Sequence, residues 1–175
     1  MPVIENQESK IENPKVVIAP CMGVGKIVAS VTRRASYIVK DQCPADVELL
    51  SLPALLAGDA HERDLLQNNP SVIIDGCALR CAAHIYRLFG VEPAAKIEVG
   101  QIMKERKIGP GKTRKELEAV GKRLSQYTAE RVLGSVDLAA QKLREFEGNI
   151  ASARAELDQL RHALPEHVML EIEEK

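Results

Sequence analysis

Three stretches before residue 90 follow one rhythm: a short apolar run, a tight turn, then apolar residues at helical spacing. Val16-Val17-Ile18-Ala19 stops at Pro20 and Cys21; Gly23 and Gly25 follow, and then Ile27, Val28, Val31, Ala35, Ile38 and Val39 recur every three or four positions. Val47-Glu48-Leu49-Leu50 leads into one or two short helices from Leu52 to Leu66. Val72-Ile73-Ile74 closes on Asp75-Gly76, and Ala78 to Phe89 reads as a helix ended by Gly90. Ile97-Glu98-Val99 supplies a fourth strand. Strands alternating with helices predict an α/β domain over residues 15–110, a small, mostly parallel four-stranded sheet with helices on both faces. Right-handed crossovers send every strand-to-helix turn to the same edge of that sheet.

The pattern changes after Gly109-Pro110-Gly111, and residues 111–175 read as a helical extension. Thr113-Arg114-Lys115-Glu116 fits a capping box ahead of Leu117, Val120, Leu124 and Tyr127, with a break expected at Gly134-Ser135. From Val136 through Ala139, Leu143, Phe146, Ile150, Ala153, Leu157 and Leu160 to Leu164, apolar residues alternate spacings of three and four. Such heptads over 136–164 predict a coiled-coil seam, closed by Pro165, that pairs with a second copy or folds back on the 113–133 helix. Residues 1–14 are polar, end in Pro14, and read as a flexible arm.

Charge narrows the function classes. Lysine plus arginine (24) nearly match aspartate plus glutamate (25), so no electrostatic argument favours nucleic acid or an anionic membrane surface as partner. Nothing approaches 18 consecutive apolar residues, and the start MPVIENQESKIENPK lacks the basic and apolar regions of a signal peptide. A cytoplasmic protein is expected. In a reducing compartment its four cysteines serve as ligands, reactive thiols or small buried residues rather than as disulfides.

Three of those cysteines fall at one sheet edge. Cys21 follows strand one, Cys77 follows strand three, and Cys81 lies four residues on, expected one turn up the next helix. Strands one and three are neighbours in the simplest doubly wound order, where ligands collect at the switch point. Helix N-termini there favour thiolate. Sulfur ligands at that density suit Zn²⁺ or, alternatively, an iron–sulfur cluster. Cys43 falls between helix one and strand two, at the opposite edge, and joins the site only if a loop folds back. Ser51, His84, Asp75 or water then compete for a fourth position.

Residues from about Lys15 to Ile108 resemble the DGC-domain family, which is assigned to zinc binding from its chelating-type cysteines and has no settled reaction. The resemblance is carried by Ala19-Pro20-Cys21-x-Gly23-Val24-Gly25-Lys26, by Leu52-Pro53-Ala54-Leu55-Leu56-Ala57-Gly58-Asp59, and by Ile73-Ile74-Asp75-Gly76-Cys77-x-x-Arg80-Cys81-Ala82. It implies metal binding by these cysteines. The family pattern often places a further cysteine before the Leu-Pro pair, where this chain has Ser51.

Several single residues carry two readings. Asp75 either orients a ligand or caps the following helix. Lys26 either lowers a thiol pKa or is a solvated lysine. Gly23-x-Gly25-Lys26 is too short for a phosphate loop, and no arginine stands where a cysteine phosphatase loop needs one. Besides metal binding, the residues admit a thiol redox or sulfur-transfer enzyme with Cys21 as nucleophile. They also admit an interaction module in which the metal is structural and the coiled coil recruits a partner.

Overall fold

The computed structural model describes residues 15–113 and 116–163. The expected arm at 1–14, Arg114 and Lys115 of the capping box, and Leu164 with Pro165 lie outside the described residues.

The chain runs β1 (Val16–Pro20), α1 (Ile27–Gln42), β2 (Val47–Leu49), α2 (Leu52–Ala57), α3 (Ala60–Asn68), β3 (Ser71–Asp75), α4 (Cys81–Leu88), β4 (Ala95–Glu98), α5 (Val99–Arg106) and α6 (Ala119–Ala163). The four strands form one sheet in the order β2-β1-β3-β4, parallel throughout. Every residue of β1 and β3 is buried, as expected of inner parallel strands covered on both faces.

The period-two alternation of those strands feeds two cores. Val16, Ile18, Val72 and Ile74 point into one, with Val31, Ala35 and Val39 of α1, Val99 and Ile102 of α5, and Leu124 and Val132 of α6. Val17, Ala19 and Ile73 point into the other, with Leu55, Leu66, Ala82 and Tyr86 from α2, α3 and α4. Leucine, isoleucine, valine and alanine make up the buried residues of both cores, with Tyr86 the one aromatic among them. The α/β expectation therefore holds, and the switch point lies between β1 and β3.

Four local expectations change. The helix after β3 starts at Cys81 rather than Ala78. Strand β4 ends at Glu98, and Val99 opens α5, a helix that the periodicity did not suggest. Thr113 does not cap a helix; its hydroxyl donates to the Glu116 carbonyl, and α6 begins at Ala119. Finally, α6 passes through Gly134 and Ser135 without a break. A mid-helix glycine costs only about 1 kcal/mol. Val132 and Val136 on either side are buried in the core, and Ser135 Oγ donates back to the Arg131 carbonyl at 3.2 Å, so the helix tolerates both residues.

Two compact units divide after Ala140. In the first, Val136 and Ala139, the opening residues of the heptad stripe, belong to the sheet's core. In the second, Ile150 and Leu157 are exposed, while the Phe146 and Leu160 side chains lie outside the described residues. Among the described residues no helix is long and apolar enough to cross a membrane.

Candidate metal centre

Parallel pairing of β1 and β3 continues one residue past the end of β1. Cys21 N donates to the Ile74 carbonyl at 2.8 Å, which clips the first cysteine to the neighbouring strand. The Cys21 carbonyl accepts from Thr32 Oγ1 of α1 at 2.6 Å, a buried bond. Cys21 is thereby held from two sides, and its side chain is buried.

The segment after β3 is organised by Asp75. Its buried carboxylate accepts from Ala82 N through Oδ1 at 2.9 Å and from Ala83 N through Oδ2 at 3.2 Å. Asp75 thus caps the first turn of α4, one of its two readings. Between Asp75 and α4 the chain arches: Arg80 N donates to the Cys77 carbonyl at 3.0 Å, and Arg80 adopts the left-handed conformation (φ 47°, ψ 49°). That left-handed residue is why the helix cannot start at Ala78. Cys77 therefore sits in the arch and Cys81 at the helix start, rather than one turn apart on a common helix.

The two turns meet because Gly76 has no side chain. A Cβ there would lie 3.0 Å from Val28 Cγ2 and 3.2 Å from the Val28 carbonyl carbon. Ordinary carbon contacts are about 3.5–4.0 Å. Glycine lets the first turn of α1 close against the β3–α4 arch, and this closure brings Cys21 alongside Cys81.

The Cys21 thiol lies near enough to Cys81 to act on its protonation. Burial, then Cys21, then the charges of Asp75 and Cys77 push the Cys81 thiol above its ordinary pKa. Desolvation and like charges thus act on Cys81 against the thiolate form that a helix N-terminus favours. Burial likewise raises the Asp75 carboxyl, although the amides of Ala82 and Ala83 pull the other way; Glu98 adds to the rise and Arg80 opposes it. Arg80 and Glu98 form an ion pair at 2.9 Å above the end of β4. Among the described residues no group of three or more His, Cys, Asp or Glu side chains is drawn together as tightly as a bound metal requires.

The remaining candidates fall elsewhere. Cys43 ends α1 and precedes β2, and its side chain packs against the core. It lies at the edge where strands begin, one strand length of about 16 Å from Cys21 at some 3.3 Å per residue. Ser51 lies at the edge where strands end, but its Oγ accepts from Ala54 N at 3.4 Å as the cap of α2, and its N–H donates to Glu62 at 2.9 Å. His84 is exposed on α4, three residues past Cys81. Lys26 is exposed ahead of α1 and makes no side-chain cap. Sequence reasoning overlooked Thr32, Val28 and Glu98. Thr32, a polar residue inside the apolar stripe of α1, was the visible signal; nothing local marks the other two.

The family model of the DGC domain matches residues 17–123. No curated protein matches the chain, and no solved structure does.

Proposed function

This chain belongs to the DGC-domain family, and on that footing we propose that it binds a metal ion, zinc by preference, on the thiolates of Cys21, Cys77 and Cys81. The gathering of Cys21, Cys77 and Asp75 near enough to Cys81 to act on it electrostatically, at the sheet edge where β1 and β3 end, carries the reading. Three thiols and a carboxylate share one sheet edge, and burial first, then the charges of Cys21, Asp75 and Cys77, keep the Cys81 thiol protonated. A divalent cation reverses that sign and turns the crowding into affinity. The donor set is soft, which fits zinc and, as the alternative, an iron–sulfur cluster. Asp75 spends both oxygens on α4, so its role is to fix the helix that carries Cys81. Cys43 stays outside the site. A fourth position falls to Ser51, His84 or water, and an open one lets zinc supply Lewis acidity.

Metal analysis of protein purified without added zinc, beside a triple Cys21/Cys77/Cys81→Ser variant and a Cys43→Ser control, tests this. Stoichiometric zinc in the native chain and in the control, but not in the triple variant, is expected. Metal-free native protein, or unchanged metal in the triple variant, would sink it. A brown chromophore instead of zinc would point to iron and sulfur.

The nearness of Cys21 to Cys81 favours a second reading, a thiol redox enzyme in which Cys21 attacks and Cys81 resolves. Rapid alkylation of one cysteine and a reversible Cys21–Cys81 disulfide in metal-free native protein would favour it. All four cysteines are free, which suits a reducing, cytoplasmic setting. For the helical extension we propose pairing with a second copy through Leu143, Ile150 and Leu157. Val136 and Ala139 are already committed to the chain's own core, so truncation after Ala140 is the appropriate comparison. Light scattering that gives the same number of copies for both chains would refute the pairing.

A further inference from the structure

A second site lies away from the cysteines, where the end of α5 meets the start of α6. We propose that it binds a small phosphate-bearing molecule through Arg106, Lys107 and Arg123. A cavity of about 480 Å³ opens there, walled by these three cations together with Tyr127, Ile108 and Val120. That volume falls within the range of small-molecule sites, about 300–1,000 Å³. Among the described residues no acidic side chain stands on its wall.

The backbone gathers the cations. Lys107 ends α5 in the left-handed conformation (φ 51°, ψ 43°), with its N–H turned back to the carbonyls of Met103 and Lys104. A non-glycine residue adopts that conformation at a cost, and it sets the lysine beside Arg106 at the mouth of the cavity. From α6, Arg123 Nε donates to Tyr127 Oη at 3.0 Å. The Arg106 guanidinium carbon lies 4.6 Å and that of Arg123 5.7 Å from the centre of the same Tyr127 ring. One aromatic ring thus holds two guanidinium groups in place.

Three cations converge here in a chain whose acids and bases are nearly equal in number, so the cluster is local and not a reflection of overall charge. Of the nearby carboxylates, Glu130 faces the adjoining cavity, Glu105 acts on Arg106 by charge but is bonded to other residues, and Glu118 is bonded to backbone. Glu105 accepts from Arg131 at 2.6 Å and from Gln101 at 2.9 Å, and Glu118 accepts from the Lys112 backbone at 3.0 Å. An anion inside the cavity relieves the mutual repulsion of the cations. Two planar guanidinium forks and one ammonium match the oxygens of a doubly charged phosphate better than a single carboxylate. The apolar walls of Ile108 and Val120 favour a phosphate with an organic part. An adjoining cavity of about 400 Å³, which shares Arg106 and Tyr127 and adds Ile102, Glu130 and Arg131, has room for that remainder.

The test uses the full chain at low salt, followed by NMR of the arginine Nε–H and tyrosine ring signals. Inorganic phosphate, AMP and adenosine are titrated separately. Saturable shifts at Arg106, Arg123 and Tyr127 with AMP are expected, weakened about tenfold or more in an Arg106→Gln/Arg123→Gln variant. These side chains are exposed, and a thermal melt confirms that the variant is folded. A Tyr127→Phe variant, which keeps the ring but frees Arg123 from the hydroxyl, should weaken binding less. Equal saturation by inorganic phosphate identifies the free ion as ligand; saturation by AMP alone identifies an ester. The proposal is overturned if none of these signals shifts, if adenosine binds as well as AMP, or if the double arginine variant binds as tightly as the native chain.

Discussion

Replacing Gly76 by alanine should part the two turns that carry the cysteines. Gly76 is not in the left-handed region, so the substitution tests space and not backbone conformation. The new Cβ would meet Val28 Cγ2 at 3.0 Å, the Val28 carbonyl carbon at 3.2 Å and Val28 Cβ at 3.3 Å. Restoring normal contact moves α1 and the arch apart by about half an ångström. Overpacking of this kind costs about 1–3 kcal/mol. The lower entropy of an unfolded alanine chain returns about 0.4–1 kcal/mol. The net loss lies between about 0 and 2.6 kcal/mol, centred near 1.3 kcal/mol, or about 3–5 °C in Tm for a chain of this length. At the proposed metal site the effect should be larger, because a ligand set tolerates only about 0.2 Å of displacement, and zinc affinity is expected to fall at least about tenfold. Urea unfolding and zinc competition titration read the two effects separately. Adding Val28→Ala removes the closest methyl but leaves the backbone carbon, so the double variant should recover part of both losses. A Gly76→Ala protein as stable as the native chain, with zinc affinity unchanged, would show that this contact does not set the spacing of the cysteines.

Three further outcomes follow from the packing. The Tyr86 hydroxyl is buried with no hydrogen-bond partner among the described residues, Ser71 acting on it without reaching bonding geometry, and burial pushes its pKa up to about 12. A raised phenol contributes stability that is intact below pH 10 and is lost as pH climbs towards 12, about 3 kcal/mol at 1.36 kcal/mol per unit. Tyr86→Phe should therefore unfold less steeply in alkali and lose nothing at pH 8; an unchanged alkaline limb would refute this. Asp75→Ala leaves the Ala82 and Ala83 amides uncapped and should cost about 1–3 kcal/mol, with faster hydrogen exchange at both amides. Unaltered exchange would mean that the carboxylate does not hold the start of α4. Burial raises the Glu48 carboxyl, but hydrogen bonds from Lys15 and Lys40 outweigh it, so its pKa is lowered. Its stabilisation is present above the ordinary carboxylate pKa and fades as pH falls through the lowered one. Glu48→Gln should flatten acid unfolding below pH 4.5, and an identical acid limb in both proteins would count against the pairing.

The sequence by itself determined the architecture and the edge at which the cysteines gather. Periodicity is a property of residues two to four apart, so Val16–Ala19, Val72–Ile74 and the helical stripe of α1 announce their elements locally. Strands alternating with helices then leave few topologies, and Cys21 and Cys77 fall at one edge while Cys43 falls at the other. Only the tertiary structure decided how close the thiols come. The contact of Gly76 with Val28 joins residues far apart in sequence and depends on the register of β1 with β3. The left-handed Arg80 moved Cys81 from the second turn of a helix to its first residue. Continuity of α6 through Gly134 was also decided at a distance: burial of Val132 and Val136 in the sheet's core outweighs what a Gly-Ser pair does to an isolated helix. Local chemistry sets which elements form, and the packing between them sets the distances on which binding depends.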